Sequence, residues 1–262
     1  MMRGNRPYSL NVGGRLFRLD EPKVMGIVNC TPDSFYREPE DASGTVADEK
    51  PDILDVGGYS TRPGHEDVPV EEEMRRLREF FESKDSERYA GCVVSVDTFR
   101  ADVARMCVEE YGVHIINDVS GGADPDMFRT AAELRVPYVL TSNENMQSSV
   151  LTLIKKVQQL RDMGQNDIII DPGFGFGKNL DENYEMMRRL DEFQILDLPL
   201  LVGISRKSMI QKVLGCNARD ALNGTTVLNT IALTKGADIL RVHDVKEARE
   251  AIKLVESLEF IV

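Results

Sequence analysis

The 262-residue sequence predicts an α/β fold, a (β/α)8 or TIM barrel, on three observations. Short apolar, β-branched runs recur along the chain. Amphipathic stretches of helical period alternate with them, and a polar residue closes nearly every apolar run. Runs of this kind read as strands buried on both faces, as parallel strands are. Strand–helix alternation repeated eight times is the pattern of a closed barrel. An open doubly wound sheet is the rival, but it rarely needs eight parallel strands. The length suits a single domain over 1–262.

The elements follow in chain order. YSLNVGGRLFRLD (8–20) places Gly-Gly between two short alternating runs, a hairpin that would cap the barrel floor. VMGIVN (24–29) is the first barrel strand. The segment after NCTPDSF (29–35) makes almost no case for a helix, so the first barrel helix is expected to be reduced to TVADEK or lost. DILDVG (52–57), CVVSVD (92–97), VHIIND (113–118) and VPYVLT (136–141) are the second to fifth strands. DIIID (167–171), LPLLVGIS (198–205) and ADILRVH (237–243) complete the eight. Helical patterns cover 70–84, 99–112, 146–164, 180–193, 206–215, 225–236 and 245–258. The first has Val70, Met74, Leu77 and Phe81 on one face, and the second and third end at glycine.

Composition excludes several classes of function. No apolar run approaches the roughly 20 residues needed to span a bilayer, and no basic-then-apolar leader opens the chain. The net charge of −12 argues against nucleic acid and anionic membrane as partners. Four scattered cysteines without a C-x-x-C pair read as reduced thiols in a cytoplasmic protein.

The strand ends carry the chemistry. Asn29, Asp97, Asn117-Asp118, Asp171, Ser205, and Arg241 with His243 close their runs, and Asp55 lies just before Gly57-Gly58. One Asp at a strand end is commonly a helix cap. Seven polar ends of eight point instead to one barrel mouth, where such enzymes keep their sites. The acids and amide suit a flat heterocycle with several N–H donors, with Lys207 beside them as a donor. Arg62, Arg206, Lys207, Arg241 and His243 gather cations at the mouth of an acidic protein, as a phosphorylated or carboxylated substrate would require. Ser205 is expected at the start of a helix whose N-terminus adds to that anion preference. No residue set suggests a covalent nucleophile: histidines are few (His65, His114, His243) and Cys30 has no assignable base. Leaving-group stabilisation fits better.

Seven segments, VMGIVNCTPDSF, DILDVGGYSTRPG, VSVDTFRADVA, IINDVSGG, DPGFGFGK, PLLVGISRKSMI and RVHDVKEA, together resemble the dihydropteroate synthase family across nearly the whole chain. The resemblance implies condensation of 6-hydroxymethyl-7,8-dihydropterin diphosphate with p-aminobenzoate, giving 7,8-dihydropteroate and diphosphate. It implies that Asp97, Asn117, Asp171 and Lys207 hold the pterin. Arg241, His243, Asn29 and the region of Thr61 would hold the diphosphate, with Asn29 ligating a Mg2+ ion. The p-aminobenzoate subsite, where sulfonamides would compete, would comprise Phe35, Arg62, Pro63, Phe176, Lys207 and Ser208. Asp33, Arg62, Lys207, Arg241 and His243 would be catalytic. A homodimer through late barrel helices is also implied.

Two departures from the family stand out. Tyr36-Arg37-Glu38-Pro39-Glu40 replaces the usual Ser-Asp-Gly-Gly, and TSNENMQ (141–147) stands where the family has Met-His-Met-Gln. The family's Met supplies apolar contact to the pterin, and Thr141 and Ser142 occupy that place here. Two other readings share the pocket: a non-catalytic pterin-binding homologue, and a barrel moving a methyl group from a reduced folate to a corrinoid protein.

Overall fold

Apolar alternation decides how the barrel closes. The computed structural model describes residues 8–30, 50–59 and 68–259. Its opening hairpin pairs β1 (Tyr8–Val12) with β2 (Arg15–Leu19) through a two-residue loop. Gly13 and Gly14 both take positive φ, +60° and +80°, as a type I′ hairpin turn requires.

Eight parallel strands follow: β3 (Lys23–Asn29), β4 (Ile53–Gly57), β5 (Val93–Asp97), β6 (Ile115–Asp118), β7 (Tyr138–Thr141), β8 (Ile168–Asp171), β9 (Leu201–Val202) and β10 (Ile239–Val242). They are ordered β8-β7-β6-β5-β4-β3-β10-β9, and the Ile170–Leu200 bridge joins the two ends into a closed barrel. All eight expected strands are present. The seventh shrinks to two residues, because Pro199 lacks an N–H and only its carbonyl joins the ladder, accepting from Ile170 N at 2.8 Å.

The hairpin closes the floor. Leu10, Val12 and Leu19 pack with one residue from each strand: Met25, Ile53, Val93, Ile115, Val139, Ile169, Leu201 and Ile239. The intervening strand residues, such as Leu54, Val96, Ile116, Leu140 and Leu240, face outward into the main core. Period-two alternation thus places every strand residue on one of two faces.

The helices are α1 (Val70–Glu82), a short α2 (Lys84–Glu87), α3 (Ala101–Tyr111), α4 (Met127–Leu134), α5 (Met146–Asp162), α6 (Leu180–Arg188), α7 (Ser208–Leu214), α8 (Leu222–Thr234) and α9 (Val245–Glu259). The α4 helix was not expected: its eight residues are too short for a strong periodic signal, and it stops at Arg135 in the left-handed region. The stretch after α6 tightens to a 3-10 helix over Leu190–Leu196 instead of extending the α-helix to 193. The stretch expected to hold TVADEK lies outside the described residues.

Candidate functional site

Counting two residues up each strand from the apolar floor reaches Ile27, Asp55, Ser95, Asn117, Thr141, Asp171, Gly203 and Arg241. The same inward face therefore turns from apolar to polar at six of the eight positions in one step. Among the described residues Asp55 Oδ1, Ser95 Oγ, Asn117 Oδ1 and Thr141 Oγ1 on these strands, and Asn229 Oδ1 on α8, are buried without a hydrogen-bond partner. A buried polar atom left unpaired costs about 1–3 kcal/mol, so native interiors avoid them. Four at one level of the barrel's inward face suit a ligand with several hydrogen-bonding edges.

Arg241 organises the charges. Its Nε donates to Asp55 Oδ2 at 2.6 Å and its Nη2 donates to Asp97, while Asn117 Nδ2 donates to Asp55 Oδ2 at 2.9 Å. Burial works against the guanidinium's charge, but the carboxylates of Asp55 and Asp97 outweigh it and stabilise the cation. Burial pushes the Asp97 carboxyl up to about 7, against the pull of Arg241. Burial also raises Asp171, with Lys207 opposing the rise.

The opposite wall is the β8–α6 loop. Gly173, Gly175 and Gly177 take φ of +70°, +83° and +63°, winding the chain tightly. Gly173 N donates to Asp171 Oδ1 at 2.8 Å. Lys207 donates to Phe174 O and lies 4.6 Å from the Phe176 ring centroid. Lys178 donates to Ser142 O (2.9 Å), Gly173 O (2.9 Å) and Phe176 O (3.2 Å), tying the ends of β7 and β8 together. Burial lowers both lysines to about 8.

Behind β5, Glu73 is fully buried in the first turn of α1, a position that the helical pattern marked as polar. It accepts from Thr98 Oγ1 at 2.7 Å and from Arg100 Nη1 at 2.6 Å. Arg100 also donates to Val68 O at 2.7 Å and lies 5.4 Å from the Tyr59 ring. A Cβ on Gly58 would meet Glu73 O at 3.0 Å, which explains the second glycine of the pair.

Some expectations need correction. Arg206 does not serve the mouth: its guanidinium grips Asp244 through two bonds (2.9 and 2.8 Å) and donates to Ala218 O and Arg219 O. Ser205 does not start a helix, because α7 begins at Ser208. Ser205 Oγ pairs instead with His243 Nδ1 at 3.0 Å. Asp118 serves its own loop, accepting from Tyr138 Oη, Ser120 N and Gly122 N. Cys30 is pushed up to about 12 by burial, which leaves it an inert thiol.

Asp97, Asn117 and Arg241 meet directly or through Asp55, and Lys207 meets Phe176, with Asp171 next to it electrostatically. Asn29 ends β3 at the same mouth, and Ser208 is exposed at the first residue of α7. Asp33, Phe35, Thr61, Arg62 and Pro63 lie outside the described residues. Sequence reasoning missed Ser95, and it reached Thr141 and Lys178 only as members of TSNENMQ and DPGFGFGK, without a role for the hydroxyl or the ammonium. The count of two from the floor residues finds Ser95 and Thr141.

The chain matches the family described as Pterin binding enzyme over residues 25–243. It is 38% identical over 271 residues to dihydropteroate synthase of Escherichia coli (strain K12), covering 93% of this chain and 94% of that one. A Xanthomonas albilineans dihydropteroate synthase solved with 4-aminobenzoic acid superposes with a TM-score of 0.85 at 34% identity, covering 97% and 99% of the two chains. A second structure of the Xanthomonas albilineans protein, with 7,8-dihydropteroate, gives 0.84 at 31% identity, covering 97% and 100%.

Proposed function

Because this chain belongs to the pterin-binding enzymes, and among them to the dihydropteroate synthases, we propose how its own residues divide the work. The reaction is a transfer in folate biosynthesis: 6-hydroxymethyl-7,8-dihydropterin diphosphate condenses with p-aminobenzoate to 7,8-dihydropteroate and diphosphate. The observation that carries the assignment of roles is the set of orphaned oxygens on the barrel's inward face, with Arg241 bonded to Asp55 among them. A pterin edge offers the N–H donors that such oxygens lack.

Asp97, Asn117, Asp171 and Lys207 hold the pterin ring. Arg241 and His243, with the Thr61 region, hold the diphosphate. Phe35, Arg62, Pro63, Phe176, Lys207 and Ser208 form the p-aminobenzoate subsite, where sulfonamides compete. The amine nitrogen forms a bond to the exocyclic methylene carbon while the C–O bond to diphosphate breaks. Diphosphate leaves with the electron pair, and the amine loses a proton. Positive charge develops on the pterin, and the carboxylates of Asp97 and Asp171 oppose it; the cations oppose the charge of the leaving group. Asp33 and Arg62 belong to the same catalytic group.

Mg2+ fits this mouth. The Asn29 amide oxygen is a hard neutral ligand, and among the described residues no cluster of three or more acids, histidines or cysteines could cage a metal. One protein oxygen completed by diphosphate oxygens and water is a common way to hold this ion. Mg2+ bound there would neutralise charge on the departing diphosphate.

The whole chain, 1–262, acts as one barrel unit. No helix among the described residues is long and apolar enough to cross a membrane, and all four cysteines are free, in keeping with a reducing cytoplasm. The protein works as a homodimer. Val227 (50% exposed) on α8 with Leu254 (70%) and Leu258 (59%) on α9 leave apolar side chains uncovered on two helices packed together. Sedimentation equilibrium should show a dimer, and Val227→Glu with Leu254→Glu should yield a monomer; an unchanged mass overturns this face as the interface.

The two buried groups set an expectation for the pH profile. Asp97 must be ionised to oppose pterin charge, so kcat/KM for the pterin diphosphate rises as pH passes upward through about 7. Lys207 must stay protonated, so the value falls again through about 8. Asp97→Asn should remove the acid limb. The direct test of function is product formation from the two substrates: dihydropteroate appears with diphosphate in equal amounts, and no product at all overturns the reading.

A further inference from the structure

Thr141 is the last residue of β7. It is 1% exposed, and its Oγ1 has no partner among the described residues. Tyr138 and Leu140 pack outward and Val139 lies in the floor, so Thr141 points into the barrel. Its Cα pairs with that of Asp171 across the ladder.

The surroundings make this orphan specific. Ser142 Oγ accepts from Ser149 Oγ at 2.6 Å, and Ser142 O accepts from Lys178 at 2.9 Å. Asp171 Oδ1 accepts from Gly173 N at 2.8 Å, and Asp171 O accepts from Ser142 N at 2.8 Å. Both Ser142 oxygens and Asp171 Oδ1 are thus already engaged. The side chain is also fixed: a Cβ on Gly173 would lie 2.9 Å from Thr141 Cγ2, so the methyl packs against that glycine. A β-branched side chain has few rotamers. Valine would fill the same volume without a buried hydroxyl, which costs free energy unless something pairs with it.

We propose that Thr141 is a specificity-determining residue of the pterin site, its hydroxyl hydrogen-bonding the heterocycle that Asp97, Asn117 and Asp171 also hold. This rests on the assigned function, and it makes this chain's pocket read the ring through a polar contact at the end of β7. Thr141→Val removes the hydroxyl and keeps the shape; Thr141→Ser keeps the hydroxyl.

The experiment titrates each purified protein with 6-hydroxymethyl-7,8-dihydropterin diphosphate calorimetrically, and records the KM for p-aminobenzoate and the melting temperature without ligand. Thr141→Val should weaken pterin diphosphate binding about tenfold, the weight of one good hydrogen bond. Its KM for p-aminobenzoate should stay within about twofold, and its melting temperature should be unchanged or raised, since a structural hydroxyl alone would lower it on removal. Thr141→Ser should bind as the wild type does. Wild-type affinity in Thr141→Val overturns the proposal. So does a lower melting temperature together with parallel loss of both substrates. If the wild type itself fails to bind the pterin diphosphate, the assigned function falls as well, which separates the two failures.

Discussion

Replacing Arg241 by methionine lowers turnover by about 10²–10³, the usual cost of losing one preorganised charge-stabilising donor, and it also weakens the fold. Arg241 is the cation between Asp55, which is fully buried, and Asp97. Removing one partner of a buried ion pair costs about 3–5 kcal/mol, because the remaining charge is left in a poor solvent. Two carboxylates would then face each other. Asp97, already raised to about 7, loses the charge that holds it down and becomes protonated at neutral pH. Urea denaturation and steady-state rates check both parts. Adding Asp97→Asn should recover much of the stability and none of the activity; an Arg241→Met protein as stable as the wild type contradicts the account.

Gly173→Ala should be nearly as damaging from a position with no side chain. Its φ of +70° carries a penalty for any Cβ. The added carbon would also lie 2.0 Å from Ser142 O and 2.9 Å from Thr141 Cγ2. The first is backbone and cannot swing away, so β7 and β8 must separate at the site. A loss of about 3 kcal/mol or more is expected, at the upper end for point changes. Gly112→Ala is the control: φ is +66° and a Cβ there meets nothing within 4 Å, so it costs about 1 kcal/mol. Equal costs at the two positions, measured by the same denaturation, would show that the close approach at Gly173 is relieved cheaply. Turnover should fall with Gly173→Ala alone, since Lys178 and Asp171 both bond to this residue's backbone.

The barrel was legible because its signal is long-ranged and redundant. Eight runs with period-two burial leave few alternatives, and Gly13-Gly14 marks the floor hairpin by backbone conformation alone. The α4 helix escaped because eight residues give little periodicity, and β9 shortened because Pro199 cannot donate. At the site, polar strand ends such as Asp97 and Asp171 were visible, being rare in apolar runs. Ser95 was hidden, and Thr141 was marked only by its place in TSNENMQ, since serine and threonine pass as ordinary strand residues until facing is known. Arg206 misled for the converse reason: charge is readable in sequence, but its partner, Asp244, lies 38 residues away. Asp118 shows the same limit, its carboxylate being used up by its own turn.

The central claim is that buried carboxylate and amide oxygens in this barrel hold a pterin. Fluorescence titration of 6-hydroxymethylpterin, without the diphosphate, isolates that contact from the cations at the mouth. The expected result is saturable one-to-one binding that weakens at least about tenfold in Asp171→Asn, whose amide cannot match the carboxylate's charge-assisted bonds. Binding of equal strength in the two proteins, or none in either, would contradict it.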